Sequence, residues 1–125
     1  MLIYSGTFIR EHRDLARKFM RAYLRAVRYY VGALHGGHFA GPNAADVISI
    51  LTATTGLKDP AAYKKLTPGS IDPDGKLNLA SMRKDLQYFK DQGLIDGNVK
   101  VEDIVDESVL NEVLKEIGPY KGPRG

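Results

Sequence analysis

Residues 13–34 read RDLARKFMRAYLRAVRYYVGAL. Leu15, Phe19, Met20, Tyr23, Leu24, Val27, Val31 and Leu34 recur at the three- and four-residue intervals that gather side chains on one broad face of a helix. Arg13, Arg17, Arg21, Arg25 and Arg28 run along another face. The spacing therefore predicts a long amphipathic helix. Gly36-Gly37 is expected to end it, because glycine enters left-handed backbone conformations at little steric cost.

Downstream, the same punctuation repeats. Asn43 and Asp46 open a helical pattern in which Val47, Ile48, Ile50 and Leu51 form the buried side, with Gly56 as terminator. Asp59 caps a short helix with Pro60 at its first position, running to about Leu66 before Thr67-Pro68-Gly69 stops it. Residues 71–75, Ile-Asp-Pro-Asp-Gly, read as a turn. Asn78 caps a helix from Leu79 to Gln92 striped by Leu79, Met82, Leu86 and Phe89, and Gly93-Leu94 reads as a Schellman end. Asp106 is the expected cap of a last helix, which turns Val109, Leu110, Val113, Leu114 and Ile117 inward and stops at Gly118-Pro119. At the front, Leu2 to Tyr4 suits a short strand, broken by Gly6 and Thr7. The expected architecture is mainly α: about five helices and one N-terminal strand in a single domain spanning 1–125, with 119–125 as a flexible tail. One strand forms no sheet alone, so its partners are expected in another copy or in other sequence.

Composition narrows the chemistry. A charged fraction of 26% and a hydrophobic fraction of 43% fit a globular chain. With no cysteine there is no disulfide, thiolate metal site or cysteine nucleophile. No apolar run is long enough to span a bilayer. The opening Met1-Leu2-Ile3-Tyr4-Ser5-Gly6 is no secretory signal, so the polypeptide as given is expected in the cytoplasm. From Arg10 to Arg28 there are seven basic and two acidic residues, which puts +5 there and −2 on the remainder of a chain of net charge +3.

The order of these pieces resembles the C-terminal part of bacterial ABC-transporter periplasmic solute-binding proteins of the nitrate/sulfonate/taurine type. The stretch 19–30 is similar to their long later helix, entered through a strand and aromatic turn at residues 3–9. Residues 43–48, 55–63, 71–78 and 86–95 look like the family's later helical region, and 105–120 like its closing helix. The resemblance implies a non-enzymatic part of a two-lobed α/β architecture, periplasmic in its parent family. That whole holds a small organic or anionic solute in a hinged cleft and hands it to a membrane permease. It implies no cofactor. Only Tyr4, Ser5 and Gly6 correspond to a stretch near the ligand cleft. The front lobe, second lobe and export signal of the family have no counterpart here, which suggests a truncated gene product or a fragment. Helices without their sheet leave apolar surface exposed, so self-association into a homo-oligomer is expected.

Other chemistry was weighed on the residues themselves. The arginine stripe with Tyr23, Tyr29 and Tyr30 would suit phosphates and stacked bases, or an anionic membrane surface. A small basic nucleic-acid-binding or self-assembling protein is thus the alternative reading. Against it, arginine stems commonly cover apolar neighbours on a solvated face, and no nucleic-acid motif accompanies the stripe. His35-Gly36-Gly37-His38 offers two imidazoles, which in a flexible loop without a carboxylate make a poor metal site. Asp72-Pro73-Asp74-Gly75 lacks the alternating ligands of a calcium loop, since Lys76 takes the next alternate position. Thr52, Thr54, Thr55 and Ser81 have no histidine or acid at a catalytic spacing. No catalytic or metal-ligating residue is expected.

Overall fold

A computed structural model describes residues 2–123. The chain opens with α1 (Gly6–Glu11) and α2 (Arg13–Gly32). A two-stranded antiparallel hairpin follows, β1 (Leu34–His35) and β2 (His38–Phe39). Then come α3 (Ala44–Thr54), α4 (Pro60–Tyr63) and α5 (Leu79–Asp91), a 3-10 turn at Val101–Asp103, and α6 (Ser108–Ile117). The architecture is mainly helical, as the periodicities required.

Capping explains most boundaries. Ser5 Oγ accepts from the Phe8 N–H at 3.1 Å, Asp59 Oδ1 from Ala61 at 2.9 Å and Asn78 Oδ1 from Ser81 at 3.0 Å, each satisfying an amide that the helix leaves unpaired. The Schellman end of α5 is formed: the Leu94 N–H donates to Phe89 and that of Gly93 to Lys90. At Asn43 the expectation fails in detail. The residue precedes α3, but its Nδ2 donates to the Tyr29 carbonyl at 2.7 Å, and it makes no side-chain cap bond. Asp46, expected in the capping box, instead accepts from the Tyr29 hydroxyl at 2.6 Å. Both side chains are spent on pinning α3 to α2.

Two sequence expectations are corrected. Residues 2–5 form no strand; Ser5 caps α1, and Gly6 and Thr7 begin that helix rather than break the chain. The Tyr4 hydroxyl donates to the Ala16 carbonyl at 3.1 Å, which folds the N-terminal segment back on α2. The strands lie elsewhere, across Gly36-Gly37, where a loop was expected. Gly36 and Gly37 have φ of 58° and 76°, the two positive values that a type I′ hairpin turn demands.

α2 is the spine. Its Leu24 packs on Leu110 and Val113 of α6, with Met20, Tyr23, Leu114 and Ile117 around them. A second cluster joins Ala33, Ala44 and Val47 to Tyr30, Phe39 and Leu51. Val27, Val31, Ile48 and Val109 are buried as well, but part of the apolar pattern stays uncovered. Leu15, Phe19 and Ile50, expected inward, are about half exposed, and α5 has no fully buried residue, with Leu79, Met82 and Leu86 half-buried and Phe89 exposed. The accessible surface is 8550 Å², whereas a compact monomer of 13.8 kDa would expose about 6,600 Å².

Candidate functional site

Tyr4 opens onto a groove of about 280 Å³ between the N-terminal segment, α2, α5 and α6. Ile3, Ile9, Met20, Met82, Ile104 and Val109 supply most of its apolar wall. Its charged wall residue is Asp106, whose carboxylate accepts from the Ser108 N–H at 2.8 Å. Hydrogen bonding to Ser108 holds that carboxyl below the usual aspartate range. Burial pushes the Tyr4 hydroxyl above the usual tyrosine range, and the hydroxyl donates to the Ala16 carbonyl. The lining includes no lysine or arginine. Such a groove suits an apolar side chain and opposes an anion. Of the residues expected near a ligand cleft, Tyr4 lines this groove, Ser5 serves as the α1 cap and Gly6 begins the helix.

The arginine stripe is engaged with the protein itself. Arg13 donates to Glu112 at 2.6 Å, Arg17 pairs with Glu112 at 3.6 Å and with Glu116, and Arg21 pairs with Glu116. Four-residue steps on α2 meet a four-residue step on α6, so the two helices close as a ladder of opposite charges. Hydrogen bonds from Arg13, and from Arg17 and Arg21, hold Glu112 and Glu116 respectively below the usual glutamate range. Arg28 leaves the row. Its guanidinium donates to Asp74 at 2.9 Å and to the Gly118 and Pro73 carbonyls at 2.6 and 3.2 Å. Arg25 is exposed. The face offered to phosphates by the sequence is therefore largely an internal interface.

The remaining candidates are absorbed structurally. Asp72 Oδ1 accepts from the N–H groups of Asp74 and Lys76, making an Asx-type turn. Asp74 also accepts from the Tyr120 N–H at 2.7 Å, which docks the start of the 119–125 segment; residues 124 and 125 of that segment lie outside the described residues. Thr52 and Thr54 donate to the carbonyls four residues back, and the Thr55 and Tyr63 hydroxyls share a 2.5 Å bond. Among the described residues, no three His, Asp or Glu side chains converge as a metal site. No described helix is long and apolar enough to cross a membrane. No protein-family model matches the chain, nor does any curated protein or solved structure.

The hairpin was legible but missed. A Gly-Gly pair between Leu34-His35 and His38-Phe39 is a two-residue turn signal, and it lost to the reading of the same glycines as a helix terminator. The Glu112/Glu116 partners of the arginines carried a weaker signal: a four-residue step on a separate helix gains meaning only when the two helices are packed.

Proposed function

We propose that this chain is the non-enzymatic helical part of a solute-binding protein of the nitrate/sulfonate/taurine type, seated by its apolar outer face on the α/β structure of that architecture. One observation carries the reading. α5 bears the stripe Leu79, Met82, Leu86 and Phe89, of which the first three are only half-buried and Phe89 is exposed, although a helix with an apolar stripe is stable only when that stripe is covered. The accessible surface exceeds that of a compact monomer by about 1,900 Å². The family rests on the resemblance in the order of these pieces, and the incompletely covered face supports the reading that this part packs on another.

In the whole architecture, solute is taken between two lobes, closure is driven by its extra contacts in the closed state, and delivery is to a membrane permease. By the resemblance, the Tyr4-Ser5-Gly6 stretch corresponds to one near that cleft. Alone, the chain presents an apolar groove with Asp106 on its wall, so it holds no anionic solute tightly. Alone, too, a second copy covers the α5 face.

The reading frame immediately upstream of the Met1 codon is the direct test. A contiguous α/β lobe behind an export signal is expected; an unrelated gene there overturns the assignment. Calorimetry complements it. Sulfonate, nitrate and pyrimidine-like solutes should give no stoichiometric heat with this chain, and tight binding of any of them would sink the proposal that the cleft is elsewhere.

A further inference from the structure

The register of the hairpin pairs Leu34 with Phe39 and His35 with His38. Directly opposed residues of an antiparallel pair project to the same face, and successive residues to opposite faces. Burial follows that alternation: Leu34 is buried and Phe39 is half-buried against the α3 cluster, while His35 and His38 are both exposed. The two imidazoles therefore leave the same outer face of the ribbon, from Cβ atoms about 4.5–5.5 Å apart. The Gly36-Gly37 turn holds this spacing, because both glycines occupy the positive-φ region that closes a two-residue hairpin.

We infer that His35 and His38 form a two-histidine site for a divalent first-row transition ion. A metal–nitrogen bond is about 2.0–2.1 Å, so two imidazoles rooted this close meet one ion without backbone movement. Imidazole ligation favours copper, nickel and zinc over the hard cations, and copper(II) binds tightest in that series. Water completes the coordination, since no third His, Asp or Glu converges there among the described residues. The site is thus an open, bidentate one rather than a structural zinc centre. It is independent of the solute-binding reading, because it lies on the outward face of the hairpin and uses no residue of the Tyr4 groove.

The test uses copper(II) alone, titrated into the intact chain at pH 7.5 in a weakly coordinating buffer, with paramagnetic resonance of the bound ion. The expected result is one copper per chain with splitting from two nitrogens. His35→Gln and His38→Gln should each weaken binding about tenfold or more, while His12→Gln leaves it unchanged. Gly36→Val with Gly37→Val keeps both imidazoles but opposes the turn, and should weaken binding similarly while the far-ultraviolet helix signal persists. Copper binding that depends on His12, survives loss of either hairpin histidine, or is indifferent to the turn variant overturns the site.

Discussion

The Arg28 guanidinium and the Asp74 carboxylate meet at 2.9 Å, with side chains only 17% and 7% exposed. Around them gather Pro73, Gly118 and Tyr120, so one ion pair joins α2, the 72–75 turn and the segment after α6. Breaking such a pair from one side leaves a charge without its partner in a low-dielectric site. Asp74→Ala should cost about 3 kcal/mol of stability, read from urea unfolding. A loss within experimental error of zero would show that solvent reaches Arg28 freely.

The α2–α6 ladder predicts acid sensitivity. Arginine hydrogen bonds hold Glu112 and Glu116 below the ordinary glutamate value of 4.5. Their stabilisation is thus complete above that ordinary value and is lost as pH falls through the lowered values of the folded state. Thermal melts from pH 7 down to about 3 should show Tm falling along this limb. Glu112→Gln with Glu116→Gln should flatten it. An unchanged acid limb in the double variant would assign the effect to other carboxylates. Because these side chains are 29–42% exposed, 1 M salt, with a Debye length of about 3 Å, should also weaken the ladder.

Gly41 is held where no side chain fits. Its N–H donates to the Ala33 carbonyl at 2.9 Å, and an added Cβ would stand 2.2 Å from the Gly32 carbonyl oxygen. Both contacts are backbone, so the hairpin must lift away from the end of α2 to admit a methyl group. Gly41→Ala should destabilise by about 1–3 kcal/mol. A neutral result in denaturant titration would mean that this connection relaxes without disturbing the Ala33–Ala44–Val47 cluster.

The incompletely covered α5 face should drive association of the isolated chain. Tyr88 and Leu94 are 60% and 70% exposed beside Phe89, and Ile104 is 68% exposed near the Tyr4 groove. Light scattering is expected to show mass rising with concentration beyond that of one chain. Tyr88→Lys with Phe89→Lys should return it to one chain, with little change in Tm. A stable wild-type monomer at high concentration contradicts this.

Local chemistry was readable along the chain. Asp59 and Asn78 cap the helices they precede, and Gly93-Leu94 closes α5 as its residue types require, because each device is settled within a few neighbouring residues. Elsewhere, two local readings competed for the same residues. Gly36-Gly37 suits a helix end and a hairpin turn equally well, and the burial of Leu34 with the packing of Phe39 against α3 favoured the hairpin. Asn43 and Asp46 look like a capping box, but Tyr29 offers both of them a partner across the helix pair.

By itself, the sequence determined a mainly helical chain, several of its caps and helix ends, and the apolar faces its longer helices carry. Those properties follow from backbone sterics, capping and periodicity, which act over a few residues. Only the tertiary structure decided what each face meets. It turned Arg13, Arg17 and Arg21 towards Glu112 and Glu116, and Arg28 towards Asp74, and it set His35 opposite His38. A charge has the same identity on a solvated face and in an interface. What differs is the partner brought to it from some 46 to 99 residues away, and that is set by the packing of whole helices.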